Sequence, residues 1–394
     1  MADTLKLEKI LDAMQASGLD AMIVGDPFNI RYATGLWLPM MHAQPDRPVF
    51  GIVRSDGSRE LVVPAVWETS ARECAEVDAI RAYSGETDQI QGAVAAALVF
   101  LREPGAIGFD GDAMPVAVAG LLSEALCREG HRTVRCDDAL RRCRMMKTPI
   151  EQARLEDLAL KTDHAINGYF HHLIANRASS ALVISEQLRI HSLERDIEIS
   201  GYNACARAKV GEGTKKFWPY APDYDFAAMD VRKYPDDLIV AEVANTDGGY
   251  WSNAIRLAIN ATSMTEVQER AYEDLNQLRT FMLDKIKPGN RCSDIYREVA
   301  SFATDGAISL RSDVPIGFGI GVAPMEAPFF APGDDTAIET GMVMVIDLIV
   351  QRDGVLYQSR DTITVSEVGA RIVNWYKDWR EPYLAIGFLA EFAM

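Results

Sequence analysis

Two domains are predicted by this sequence, an α/β unit followed by an α+β unit built on an antiparallel sheet, and three observations carry that prediction. The chain has 394 residues, long enough for two cores of ordinary size. Its first third alternates short apolar runs with amphipathic stretches at helical spacing, the pattern of a sheet covered by helices. Further on, long helical stretches alternate with long strand-like runs, as in an antiparallel sheet.

In chain order, "TLKLEKILDAMQASG" places apolar residues at helical spacing, and Gly18 suits a helix end. "LDAMIVG" reads as a short buried strand and "DPFNIRYATG" as a loop, from its Pro, Asn and Gly. "VFGIVRS", "RELVVPA" and "AIGFDG" are further strands, with "QIQGAVAAALVFLRE" and "PVAVAGLLSEALCREG" as covering helices. Thr148-Pro149 followed by Glu151 starts a long helix, since proline is tolerated in a first turn. The domains are therefore expected at 1–145 and 146–394. In the second, a helix over 262–286 accompanies the strands "DLIVAEVA", "WSNAIRLAI", "GMVMVIDLIVQ" and "YQSRDTITVS".

Composition narrows the function. The net charge is −17, which excludes the clustered Lys and Arg of a nucleic-acid binder. No run of about 18 apolar residues offers a membrane span, and the mixed-charge start is unlike a secretion signal. Six cysteines lie scattered without metal-binding spacing, as in a reducing compartment. A cytoplasmic protein acting on a small molecule is expected, with neither nucleic acid nor membrane as partner.

Several stretches in order are similar to landmarks of one family. "DAMIVGDPFNIRYATG" and "MMKTPIEQARL" precede "IKPGNRCSDI", "GFGIG" with "MEAP", "ETGMVMVIDLIV" and "SRDTITVSEVG". The chain thereby resembles the creatinase/aminopeptidase P/prolidase (M24) family over its whole length. The resemblance implies a creatinase-like N-terminal α/β domain and an α+β pita-bread C-terminal domain. Metallopeptidases of that fold hold two divalent ions with two Asp, one His and two Glu. By resemblance those positions fall on Glu242, Asn253, Phe318, Asp347 and Arg360, none of which is the family's residue. A further family histidine falls on Met325, beside a retained acid, Glu326. One check needs no alignment: residues 192–394 contain no histidine at all, so none can ligate a metal there. Two carboxylates facing one guanidinium form a nearly balanced set, whereas four carboxylates without metal would repel. A pocket with no metal and no other cofactor is expected.

The resemblance also offers a metal-free precedent, creatinase, and ectoine hydrolase is similar in kind. The expected activity is metal-independent cleavage of a C–N or C–C bond in a small carboxylated, possibly aromatic, molecule by acid–base catalysis. Glu242, Asp347 and Glu326 are its candidate catalytic groups. Arg360 is the candidate clamp for a substrate carboxylate, with Asn253, Phe318 and Met325 as further substrate contacts. Creatinase's catalytic histidine would fall in "PDYDF", where there is none, so the creatine reaction itself is not expected. Two alternatives stand beside this reading. One is a metal-free lyase, losing a small carbonyl such as formaldehyde by elimination or retro-aldol cleavage. The other is a catalytically silent binding protein, similar to the peptidase-like domain of the large FACT histone chaperone subunit. Family members are dimers, so His42 and Arg47 of an N-terminal loop are candidates to enter the partner's pocket. Lys215, in a glycine-rich stretch, is a last binding candidate.

Overall fold

A computed structural model of the chain describes residues 3–84, 88–175, 181–198, 202–208, 238–259, 261–311 and 313–384. The chain divides into two compact units, Met1–Arg144 and Met145–Met394.

In the first unit, α1 (Thr4–Ala16) buries Ile10 and Met14 and leads into the fully buried β1 (Ala21–Val24). The stretch read as a loop is instead a helix, α2 (Pro27–Thr34). The Asp26 side chain accepts a bond from the Asn29 amide, Pro27 sits in the first turn, and Gly35 closes the end at φ 75°. Pro and Gly here are helix start and stop signals, not loop signals. After α3 (Met40–Ala43) come β2 (Phe50–Arg54), β3 (Arg59–Pro64), α4 (Glu68–Cys74), β4 (Ala79–Tyr83), α5 (Gln89–Leu98), β5 (Ala106–Phe109), α6 (Val116–Arg128), β6 (Arg132–Arg135) and α7 (Asp137–Met145). The sheet order is β4-β3-β2-β1-β5-β6, antiparallel at β1–β2 and β2–β3 and parallel elsewhere. Strands β4 and β6, which the sequence reading passes over, are the two edges and are only partly buried. An edge strand needs little apolar alternation, so it leaves a faint trace in sequence. Ile23, Phe50, Ile52 and Val62 pack against Val94, Val118 and Leu122 to form this unit's core.

The second unit opens on α8 (Pro149–Ala175). Its start is fixed reciprocally: the Thr148 amide donates to Glu151 Oε2 at 2.9 Å, and the Glu151 amide to Thr148 Oγ1 at 3.2 Å. Then follow α9 (Ala181–Leu193), β7 (Tyr202–Ala208), β8 (Leu238–Asp247), β9 (Tyr250–Ile259), α10 (Glu266–Lys285), α11 (Cys292–Asp305), β10 (Gly317–Gly319), β11 (Glu326–Phe329), β12 (Val343–Arg352), β13 (Val355–Ser366), β14 (Gly369–Ile372) and β15 (Tyr383–Leu384). The sheet runs β11-β10-β12-β13-β9-β8-β7, with β14 on β13 and β15 on β9, and only the β15–β9 pair is parallel. Helices α10 and α11 bury Leu275, Leu278, Met282 and Val299 in one cluster with Ile346 and Ile363. Helices α8 and α9 bury Ile166, Tyr169, Phe170 and Leu188 in another with Ile239, Ala241 and Val243. The antiparallel α+β expectation describes this unit. Among the described residues no helix is long and apolar enough to cross a membrane.

Candidate functional site

Four central strands set the site's geometry. Their register aligns Glu242 of β8 with Ile255 of β9, Ile255 with Arg360 of β13, and Arg360 with Asp347 of β12. One row across the sheet thus carries two acids and a guanidinium, with Asn253 two residues along β9. All four polar residues are buried, and Arg360 has no exposed surface.

At that depth every donor of Arg360 needs a partner. Its Nε and Nη2 both donate to Asp347 Oδ2, at 3.0 and 2.7 Å. Its Nη1 donates to Glu242 Oε1 at 2.9 Å and to Asn253 Oδ1 at 2.7 Å. Gln358 completes the arrangement, its Nε2 donating to the other Asp347 oxygen at 2.6 Å. Asn253 is oriented by donating from Nδ2 to the Pro324 carbonyl at 3.3 Å. Burial works to lower the Arg360 pKa, but Asp347 and then Glu242 outweigh it and hold the group above its ordinary value. The guanidinium is a permanent internal cation. The Phe318 ring, buried and paired with Val345 and Phe329 in register, lies 5.7 Å from its carbon, within cation–π reach.

The expected residues therefore meet, but in other roles. Arg360 is not an open clamp for a substrate carboxylate, because its donors face carboxylates of the chain itself. Glu242 and Asp347 are not free bases, because both are salt-bridged to Arg360. Glu326 is buried against Lys147, whose Nζ lies 3.0 Å from its Oε1. Gly321 makes room for that pair, since a Cβ there would stand 2.5 Å from Glu326 Oε1. Met325 is half-buried beside it. His42 and Arg47 belong to the first unit, where both line one cavity. Lys215 and the "PDYDF" segment lie outside the described residues. Sequence reasoning missed Gln358 and Lys147. Lys147 sits in the quoted "MMKTPIEQARL", yet nothing local marks a partner 179 positions away.

A second buried network supports the first. Arg256 Nε donates to Asp163 Oδ1 at 2.6 Å, and its Nη1 lies 2.8 Å from Asp361 Oδ1. The same Nη1 donates to the Arg360 carbonyl at 2.9 Å, tying the networks through the backbone of β13. Asp361 also receives Arg279 Nε at 3.0 Å and the Trp375 ring N–H at 2.8 Å. Burial alone would raise the Asp361 pKa, but Arg256 and Arg279 bring it down to about 2.

A pair of divalent ions does not fit this donor set. Among the described residues no three of His, Cys, Asp and Glu gather to hold a metal. The two acids at the implied positions are already neutralised, and a metal ion beside Arg360 would meet a like charge in a poorly screened interior.

Comparison with known proteins gives the context. Residues 6–146 match the family model for the creatinase/prolidase N-terminal domain, and residues 185–374 match that for metallopeptidase family M24. "Probable dipeptidase PepE" of Mycobacterium tuberculosis strain H37Rv is 25% identical over 272 residues, 67% of this chain and 66% of the relative, slightly under two thirds of that relative's length. "Xaa-Pro dipeptidase" of Pyrococcus furiosus is 21% identical over 373 residues, 93% of this chain and 96% of that protein. The fold superposes on a recombinant prolidase from Thermococcus sibiricus with a TM-score of 0.77 at 15% identity, covering 98% of this chain and 99% of the other. These findings correct the expected activity. The relatives are dipeptidases by name, and the groups expected to cleave a C–N or C–C bond as base and acid are each held in an ion pair. Metal-independent, creatinase-like cleavage and the lyase variant are set aside.

Proposed function

The chain belongs to the creatinase/aminopeptidase P/prolidase-like family, one of prolidase-like M24 hydrolases, and on that premise we propose that it recognises a short peptide without divalent metal. The observation that carries this reading is Arg360, whose Nη1 and Nη2 bond Glu242 and Asp347. Its fixed charge takes over the neutralising work that metal ions do for such carboxylates. Water activation by a general base needs a carboxylate with a free oxygen facing the reactant. Asp347 has one oxygen taken by Arg360 and the other by Gln358, and Glu242 gives Oε1 to Arg360, which supports recognition over base-driven hydrolysis. The peptide class comes from the dipeptidase names of the relatives.

The test is a panel of Xaa-Pro and other dipeptides, with binding followed by calorimetry and cleavage by chromatography, each with manganese and with EDTA. Binding that neither addition alters, without cleavage, is expected. Hydrolysis that appears with manganese and vanishes with EDTA would refute the proposal, as would a panel in which no peptide binds.

A further inference from the structure

The N-terminal unit contains a cavity that the Arg360 site does not use. It measures about 240 Å³ and lies entirely among residues 25–118. At roughly 30 Å³ per water molecule that is room for about eight non-hydrogen atoms. Its apolar wall includes Ile30, Met41, Phe50 and Met114, and its polar lining is Asp26, His42, Gln44 and Arg47.

Three observations show that this lining is built and incompletely satisfied. First, the floor is rigid: Asp110 accepts bonds from the Gly25 amide at 2.7 Å, the Asp26 amide at 3.0 Å and Asn29 Nδ2 at 2.9 Å. The opposite wall is tied by Tyr83 Oη donating to the Pro48 carbonyl at 2.9 Å. Second, His42 is held by two aromatic rings, Phe28 at 4.9 Å and Trp37 at 5.3 Å between centroids. Although the residue is solvent-exposed, partial desolvation lowers its pKa against the opposing pull of Asp26. Third, two polar groups await partners. Gln44 Oε1 is buried with no hydrogen-bond donor, and Arg47 has no carboxylate partner among the described residues. Asp26, also buried, lies 3.8 Å from Arg144 and within electrostatic reach of His42.

A buried acceptor without a donor is unfavourable, and a ligand bearing N–H groups would satisfy it. An arginine fork matches a carboxylate. An apolar wall of this size suits a short aliphatic side chain. The geometry points to a binding site for a free amino acid with an apolar side chain. Its carboxylate meets Arg47, its ammonium meets Gln44 Oε1 and Asp26, and its side chain enters among Ile30, Phe50 and Met114. This site stands independently of the reading of Arg360.

Calorimetric titration of the full-length protein tests it, with L-leucine and L-proline against 4-methylpentanoate and 3-methylbutylamine, which lack the ammonium and the carboxylate. At least one amino acid is expected to bind at millimolar or lower concentration, and each truncated analogue about tenfold or more weaker. Arg47→Ala should weaken the amino acid similarly and abolish its advantage over the amine. Gln44→Leu should weaken it while leaving the thermal midpoint unchanged or raised, since an orphan acceptor is removed. Equal binding of the analogues, an unchanged Kd in Arg47→Ala, or no binding of either amino acid would overturn the assignment.

Discussion

Arg360 binds the interior of the second unit together through its partners Asp347, Glu242 and Asn253. Removing one partner of a buried ion pair leaves uncompensated charge, at a cost of about 3–5 kcal/mol. Arg360→Ala should therefore lose that much stability at neutral pH, measured by urea denaturation. The loss should depend on pH. Without the guanidinium, two buried acids repel, and their folded-state pKa values rise above the unfolded ones. Stability then is fully present below the unfolded carboxylate range and falls as pH rises through the raised values. The variant should gain on the native protein as pH falls from 7 towards 5. A penalty that stays constant over that window would show that Glu242 and Asp347 are not the groups Arg360 neutralises. Arg360→Lys should recover only part of the loss, because an ammonium cannot reproduce the fork that reaches Asp347 and Glu242 together.

Strand β13 joins the two buried networks, since consecutive residues Arg360 and Asp361 carry them and Arg256 bonds both. Asp361 is the clearest pH-sensitive point. Its pKa of about 2 lies below the unfolded value, so its contribution is present above the unfolded carboxylate pKa and is lost as pH falls through about 2. Asp361→Asn should cost on the order of 2 kcal/mol at pH 7, and the difference from the native protein should shrink between about pH 4 and pH 2. Thermal unfolding across that range checks it. At this scale the sequence was legible where one element suffices. The runs that became β8, β9, β12 and β13 read correctly, because β8 and β12 carry long apolar runs while β9 and β13 interleave apolar with polar positions in β-branched and aromatic stretches. Helix α2 did not, because its Pro and Gly serve as well in loops as at helix ends. The site was legible as a set of replaced residues and illegible as a bonded cluster. Glu242, Asn253, Asp347 and Arg360 stood out by position, yet that Arg360 would turn inward to all three follows from the register of four strands. Gln358 and Lys147 have no signature apart from that tertiary pairing.

Across the whole molecule, the fold is one shared with a prolidase, and the proposed reading amounts to a change of central charge carrier, from metal ion to the Arg360 side chain. That makes the change reversible in principle. Arg360→Glu would place three carboxylates beside the Asn253 oxygen, a hard oxygen set suited to magnesium, manganese or calcium. The variant's thermal midpoint should rise with added divalent ion by mass action, while that of the native chain should not. Phe318→His alone should leave the native chain indifferent to metal, because the Arg360 cation stays in place. The most direct measurement is metal uptake by the native protein itself: equilibrium dialysis against manganese followed by elemental analysis. Less than about a tenth of an equivalent should bind per chain, because the Arg360 cation repels the ion. Stoichiometric uptake, accompanied by a manganese-dependent rise in the midpoint, would contradict this.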